Sequence, residues 1–285
     1  MPYDPPPTAD VPSRPVTEET LGETMDAAAP VIRWRGAAAQ AHPDRLAVEE
    51  PLEVRLAGRP LTVTMRTPGH DDDLVAGLLL TQGLIQQGSD LGPMTRDPAL
   101  PNRVDVTLST SLGAEERWRR YTYASSSCGV CGVESLDALD LDADPVVSAL
   151  RVKPATLYAL PDVLRDAQQS FGQTGGIHAA ALFTGAGDLL VAREDVGRHN
   201  AVDKVVGRAL VFEGRALNDA VLVVSGRVSY EIVQKALAAR IPLIAAVSAP
   251  SSLAVTMAAR GGVTLIGFLR GERMNVYSWP ERVSL

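Results

Sequence analysis

The chain has 285 residues, of which 46% are apolar and 21% charged, with a net charge of −7 and two cysteines. It is long enough to bury one large core or two intimately packed ones. The acidic balance excludes nucleic acid as a sequence-independent partner, since neutralising phosphates needs a basic surface. The longest apolar runs, around residues 74–85 and 241–247, are too short or too interrupted to span a bilayer, so no membrane association is expected. No apolar segment follows a basic patch near residue 1, so a secretory leader is not expected either. A cytoplasmic, reducing setting follows, in which paired thiols serve catalysis or metal binding more often than structure.

Residues 1–30 carry seven prolines among scattered acids and read as a disordered tail. Residues 52–65 alternate apolar and polar about Ala57-Gly58-Arg59-Pro60, the pattern of a hairpin. A turn at Thr67-Pro68-Gly69 precedes three aspartates, which favour a helix N-terminus, and residues 74–85 have helical spacing. Strand-like runs follow at 103–108 and 118–124, the second leading directly into the cysteines. Residues 31–150 thus read as a β-rich subdomain with one good helix, ending in the Cys-x-x-Cys loop.

A helix is predicted near 154–171, then strands at 177–183 and 189–193 about a turn at 184–188. Beyond them helices at 200–212, 229–239 and 251–259 alternate with strands at 220–224, 243–247 and 263–268. Such alternation means crossover units, so residues 151–285 are expected to form a three-layer α/β domain with a mostly parallel sheet. The fold class is α/β.

Both cysteines lie in Ser125-Ser126-Ser127-Cys128-Gly129-Val130-Cys131-Gly132. So little side-chain bulk builds neither core nor helix. It makes a loop whose N–H groups and hydroxyls can face a sulfur. A neighbouring thiol at this spacing can bring a thiolate pKa into the range of roughly 3.5–7.5, from about 8.5. Half a zinc site, a structural disulfide or two unreactive thiols are the other readings. His178, in Thr174-Gly175-Gly176-Ile177-His178-Ala179-Ala180, could complete a zinc site with Cys128 and Cys131. Zinc deaminases carry a glutamate two residues after their histidine, where this chain has Ala180, so deaminase chemistry and a tightly bound catalytic metal are not expected.

Anion sites are legible at two strand-to-helix junctions, Ser225-Gly226-Arg227 and Ser248-Ala249-Pro250-Ser251. Free N–H groups there suit phosphates, and ligands of open α/β sheets collect at that edge; ordinary capping by Ser229 and Ser251 is the alternative. Residues 193–204 hold seven ionisable side chains in twelve positions, among them Arg198 and His199, and read as a site or as a solvated face. A last cluster, Phe268-Leu269-Arg270-Gly271-Glu272-Arg273, leaves the final parallel strand with two arginines and an aromatic ring, suited to phosphate and base. Gly185-Ala186-Gly187 lacks the third glycine of a dinucleotide fingerprint and reads as a hairpin turn, and no P-loop is present.

These stretches, with Arg66-Thr67-Pro68-Gly69 and Glu194-Asp195-Val196-Gly197-Arg198-His199-Asn200, together resemble the FdhD family over residues 45–285. The resemblance implies a sulfurtransferase that takes persulfide sulfur from a cysteine desulfurase. It would pass that sulfur to the molybdenum or tungsten of a bis(guanine dinucleotide) pterin cofactor for formate dehydrogenase. It further implies a cytidine-deaminase-like C-terminal domain, a homodimer, and a cofactor-binding segment at 268–273, whose GDP moieties would meet the anion sites. A dithiol–disulfide redox enzyme and a non-catalytic docking chaperone are the competing readings of the same residues.

Overall fold

The computed structural model describes residues 25–109 and 144–284. The predicted strand at 118–124 and the loop bearing Cys128 and Cys131 lie outside the described residues.

The first described element is a two-stranded ribbon, β1 (Asp26–Arg35) paired antiparallel with β2 (Ala38–Ala47) about Gly36. The sequence reading placed 26–30 in the tail; here they begin the ribbon. Proline content gave the tail its disordered look. Yet Pro30 faces Pro43 in the register, a position where neither strand needs an N–H for its partner.

β3 (Glu50–Leu56) and β4 (Arg59–Arg66) form the expected hairpin. Ala57 (φ 49°) and Gly58 (φ 78°) are both left-handed, as a two-residue turn matching strand twist requires. With β5 (Leu91–Thr95) and β6 (Arg103–Leu108) they make a four-stranded sheet in the order β4-β3-β6-β5. Helix α1 (Asp71–Thr81) has its three aspartates in the first turn and buries Leu74 through Leu80 on every side. It is enclosed by this sheet on one side and by α4 (Arg198–Val206) on the other. A Cβ on Gly77 would lie 1.9 Å from the Asp203 carbonyl oxygen, and one on Gly207 2.0 Å from that of Asp73, so only glycine lets the two helices approach this closely.

The second sheet has six strands in the order β12-β11-β10-β9-β7-β8. These are β7 (His178–Phe183), β8 (Leu189–Asp195), β9 (Val221–Val224), β10 (Leu243–Ala246), β11 (Thr264–Arg270) and β12 (Arg273–Ser278). Successive residues point to opposite faces. Ala180, Leu182, Leu222, Val224, Ile244 and Leu265 pack toward α4, α5 (Tyr230–Ala238) and α6 (Ser252–Arg260). Ala179, Phe183, Val221, Val223, Leu243 and Ile266 pack toward α2 (Pro154–Ala167). The three-layer α/β architecture holds. The mostly parallel sheet is corrected: only β9, β10 and β11 run parallel, and both flanks are antiparallel. Turns at Thr184–Asp188 and at Gly271-Glu272 reverse the chain at each flank, and hairpins cannot be parallel. A single apolar core runs from the four-stranded sheet through α1 and α4 to the six-stranded sheet.

Candidate anion-binding edge

Parallel strands deliver their C-terminal ends to one edge, so loops remote in sequence meet there. The junction after β9 is tied to the junction after β10 by Val228 N–H to the Ala249 oxygen (3.2 Å) and Ser251 N–H to the Val228 oxygen (2.9 Å). The run after β11 joins them through Phe268 N–H to the Ser248 oxygen (3.1 Å) and Arg270 Nε to the Val247 oxygen (3.0 Å). All three predicted anion loops are therefore stitched side by side.

Ser225 binds the start of β7 twice, its hydroxyl accepting from Ala179 N–H at 2.9 Å and its own N–H reaching the Ala179 oxygen at 3.0 Å. This brings His178 against Gly226, where a Cβ would sit 3.2 Å from His178 Nδ1 and 3.8 Å from the Arg198 Cβ. Burial, then the Arg198 charge, pushes the His178 pKa below the usual histidine value. His199 lies 3.2 Å from the Ser229 hydroxyl and 3.6 Å from Glu231. Burial foremost, and Arg198 next, lower its pKa to about 4. The Glu231 contact is thus to a neutral ring at pH 7, not an ion pair. Arg198 Nε is buried without a hydrogen-bond partner among the described residues. Arg227, Arg270 and Arg273 form no ion pair among the described residues either, although the chain's 34 acids outnumber its 27 lysines and arginines. Four guanidinium groups without carboxylate partners among the described residues, on one side of an acidic protein, make an anion-attracting edge.

A cleft of about 440 Å³ opens at this edge between α2 and the sheet, floored by His178, Ser225 and Val247 and walled by Leu164 and Phe171. A second, of about 270 Å³, lies on the other side of the α4 N-terminus between Met65, Thr64 and Glu49 and the Arg198-His199-Asn200 turn. Sequence reasoning missed Glu49, Thr64 and Met65, because nothing local joins them to residue 198. It also missed Ser229 as a partner of His199, although that serine follows Arg227 by only two positions.

Several predicted site residues have other work. Leu269 is fully buried in the α2-side core, so its side chain packs and does not meet a ligand. The Ser251 hydroxyl accepts from Ala254 N–H at 3.3 Å and caps α6. Gly271 (φ 53°) and Glu272 form the exposed turn between β11 and β12. Phe268 is left-handed (φ 54°) and 41% exposed, a backbone that costs a non-glycine residue of order 1–3 kcal/mol.

Of the 193–204 cluster residues 196–200 line the second cleft, and Arg198 and His199 are the ionisable side chains among them. Glu194 accepts three backbone N–H bonds, from Gln169, Ser170 and Phe171 at 2.8–3.0 Å, which hold the turn into α3 (Phe171–Thr174). Asp195 meets Lys204 at 2.8 Å and Thr67 N–H at 3.2 Å, and burial pushes its pKa up. Asp203 meets Lys235 at 2.7 Å and the Thr81 hydroxyl at 2.8 Å. Arg66 of the Arg66-Thr67-Pro68-Gly69 stretch is buried between Glu50, Asp71 and Asn102. Asp195 and Lys204, through Thr67, and Asp203, through Thr81, tie the two halves together, whereas Arg66 and Glu194 each brace their own. Among the described residues no three His, Cys, Asp or Glu side chains gather as a metal site, and no helix is long and apolar enough to cross a membrane.

Fold and site define a mixed α/β protein with an arginine-lined strand-end edge. The chain matches the FdhD/NarQ family model over residues 47–284, and it belongs to that family. It is 50% identical over 266 residues to the sulfur carrier protein FdhD of Streptomyces coelicolor, covering 90% of this chain and 94% of the relative. It is 46% identical over 259 residues to the protein of the same name from Anaeromyxobacter dehalogenans strain 2CP-1, covering 85% and 89%. Among solved structures it resembles a protein of Desulfotalea psychrophila, described as a candidate formate dehydrogenase accessory protein. That match has a TM-score of 0.75 and 26% identity, and covers 92% of this chain and all of the other.

Proposed function

We propose that this chain is a sulfur carrier whose thiols relay sulfur to a phosphate-bearing cofactor held at the arginine-lined edge. The observation that carries this reading is the Cys128-x-x-Cys131 pair in a chain half identical to proteins named as sulfur carriers. Cys128 acts first, as a thiolate attacking the outer sulfur of a persulfide on a cysteine desulfurase. The S–S bond of the donor breaks, the donor cysteine leaves as a thiolate, and Cys128 becomes the persulfide. Cys131 assists release. Its thiolate can attack the inner sulfur of that persulfide, expelling hydrosulfide and leaving a disulfide that a dithiol must reduce.

The acceptor is the molybdenum or tungsten of a bis(guanine dinucleotide) pterin cofactor bound for formate dehydrogenase. Its GDP moieties suit the edge. Arg227, Arg270 and Arg273 lack carboxylate partners among the described residues, and the Phe268 ring is exposed in the same segment. Neutral His178 and His199 leave the arginines as the charges that bind.

Mass spectrometry after incubation with desulfurase and cysteine tests the first half. One added sulfur atom is expected on the wild type and on Cys131→Ala but not on Cys128→Ala; the reverse pattern would exchange the roles of the two cysteines. Calorimetric titration with GDP tests the second. Arg270→Ala and Arg273→Ala should each weaken binding about ten- to a hundredfold, the worth of one charge-assisted hydrogen bond, with sulfur loading unchanged. Unchanged GDP affinity in both would place the nucleotide away from 268–273.

A further inference from the structure

β4 stands at the end of its sheet, so one side of it pairs with no strand among the described residues. The register tells which groups it leaves open. Pro51, opposite Met65, has no N–H, and Glu53, opposite Val63, gives its N–H to the Asn102 oxygen at 2.8 Å, on the β6 side. In an antiparallel pair the partners of such residues turn their own N–H and C=O outward. Met65 bears this out, its carbonyl oxygen accepting from Asn200 Nδ2 at 2.7 Å. Val63 has no backbone partner on that side among the described residues.

The open edge is also apolar, Val63 being 60% exposed and Met65 37%. Beside it lies the cleft of about 270 Å³ that Arg198 lines, its buried Nε without a hydrogen-bond partner among the described residues. Of the lining side chains Arg198 alone is cationic at pH 7, since His199 is neutral, and Glu49 is the one acid. An unpaired edge, two apolar side chains and an unpartnered guanidinium group together suit an extended segment that carries a carboxylate.

The chain supplies such a segment at this spot. Residues 1–24 precede Met25, whose oxygen accepts from Val48 N–H at 3.0 Å, and the Val48 oxygen in turn accepts from the Thr67 hydroxyl at 2.9 Å. The segment therefore joins the described body beside Thr67, two residues past Met65. Residues 16–24 contain no proline, although Pro12 and Pro15 stand just before them, and they carry Glu18, Glu19 and Glu23 without a basic residue. Nine extended residues reach about 30 Å, enough to follow the eight residues of β4. Counting back from Met25 beside Thr67 sets Glu23 beside Met65 and Leu21 beside Val63. We propose that residues 16–24 add to β4 as a parallel fifth strand, with Leu21 covering Val63 and Glu23 closing the second cleft on Arg198. The contact withdraws Arg198 from the guanidinium groups that attract anions to the strand-end edge.

Amide hydrogen exchange of the full chain, read by nuclear magnetic resonance, tests this, with circular dichroism to confirm that each variant folds. The Val63 amide should exchange at least about tenfold faster in Leu21→Pro than in the wild type, because proline breaks the added strand. Glu23→Arg should lose the same protection, and Glu23→Arg/Arg198→Glu should regain it. A second measurement traps the contact directly. Leu21→Cys/Val63→Cys, in a chain that also carries Cys128→Ser/Cys131→Ser, should form a disulfide within one chain on mild oxidation, since neighbouring strands bring such pairs within bonding range. Val63 exchange indifferent to Leu21→Pro, a charge-swapped double variant that stays unprotected, or a disulfide that is absent or joins two chains would each overturn the inference. None of these readouts involves sulfur loading, so their failure leaves the sulfur reading standing.

Discussion

His199 illustrates how one buried side chain sets a pH response. Its pKa of about 4 in the folded chain lies below the unfolded value of 6.5, so below pH 6.5 the unfolded state binds the extra proton. Stability should therefore fall as pH drops from about 6.5 to 4, by at most about 3 kcal/mol from this group, and be unaffected by it above that window. Urea denaturation at pH 7.5 and pH 5 measures the loss, and His199→Gln should flatten the difference between the two. Phe268 is the other informative residue. Glycine there would adopt φ 54° without strain, so Phe268→Gly should leave stability unchanged or slightly raised while weakening GDP binding. A substitution that loosens ligand without loosening the fold would mark the ring as serving the nucleotide.

At the scale of elements, the contact between α1 and α4 is the tightest joint and the most sensitive. Gly77→Ala forces a methyl into the Asp203 backbone, which cannot yield as a side chain would. It should cost about 3 kcal/mol or more in chemical denaturation. Lys204→Met leaves Asp195 buried without its cation and should cost about 3–5 kcal/mol, whereas Lys204→Met/Asp195→Leu should recover much of that loss. The elements themselves were largely legible. Periodicity located α4, α5 and α6, and apolar runs bounded by turn residues located α1 and the central strands, which are buried on all sides or both faces. Strand direction was less legible at the flanks, because β7, β8 and β12 read alike whether parallel or antiparallel. The ribbon went unseen because its prolines mimic a tail. Polarity misled in the 193–204 cluster: ionisable residues look like a site in a linear reading, yet most of these are spent inside the protein holding two sheets together. Arg198 and His199 were found, but the facing wall of Glu49, Thr64 and Met65 could only come from the fold.

For the whole molecule, the shared core has a plain thermodynamic meaning. Hydrophobic residues of the first sheet and of the second belong to one cluster, and the buried pairs Asp195–Lys204 and Asp203–Lys235 lie among them. Neither half keeps a complete core without the other, so the described body should unfold in a single cooperative transition. Far-ultraviolet and near-ultraviolet circular dichroism should give coincident midpoints in urea; two separated midpoints would mean independent domains.

The arginine-lined edge sits on a protein that repels anions as a whole, and the two effects act over different distances. Beyond about 10 Å, at low ionic strength, an approaching phosphate senses the net charge of −7 and is turned away; within that range it senses the guanidinium groups. Moderate salt shortens the reach of the repulsion before it erodes the close contacts. Capture of an anionic ligand should therefore be fastest at an intermediate ionic strength, so that the surrounding electrolyte, and not the edge alone, sets how readily cargo is admitted.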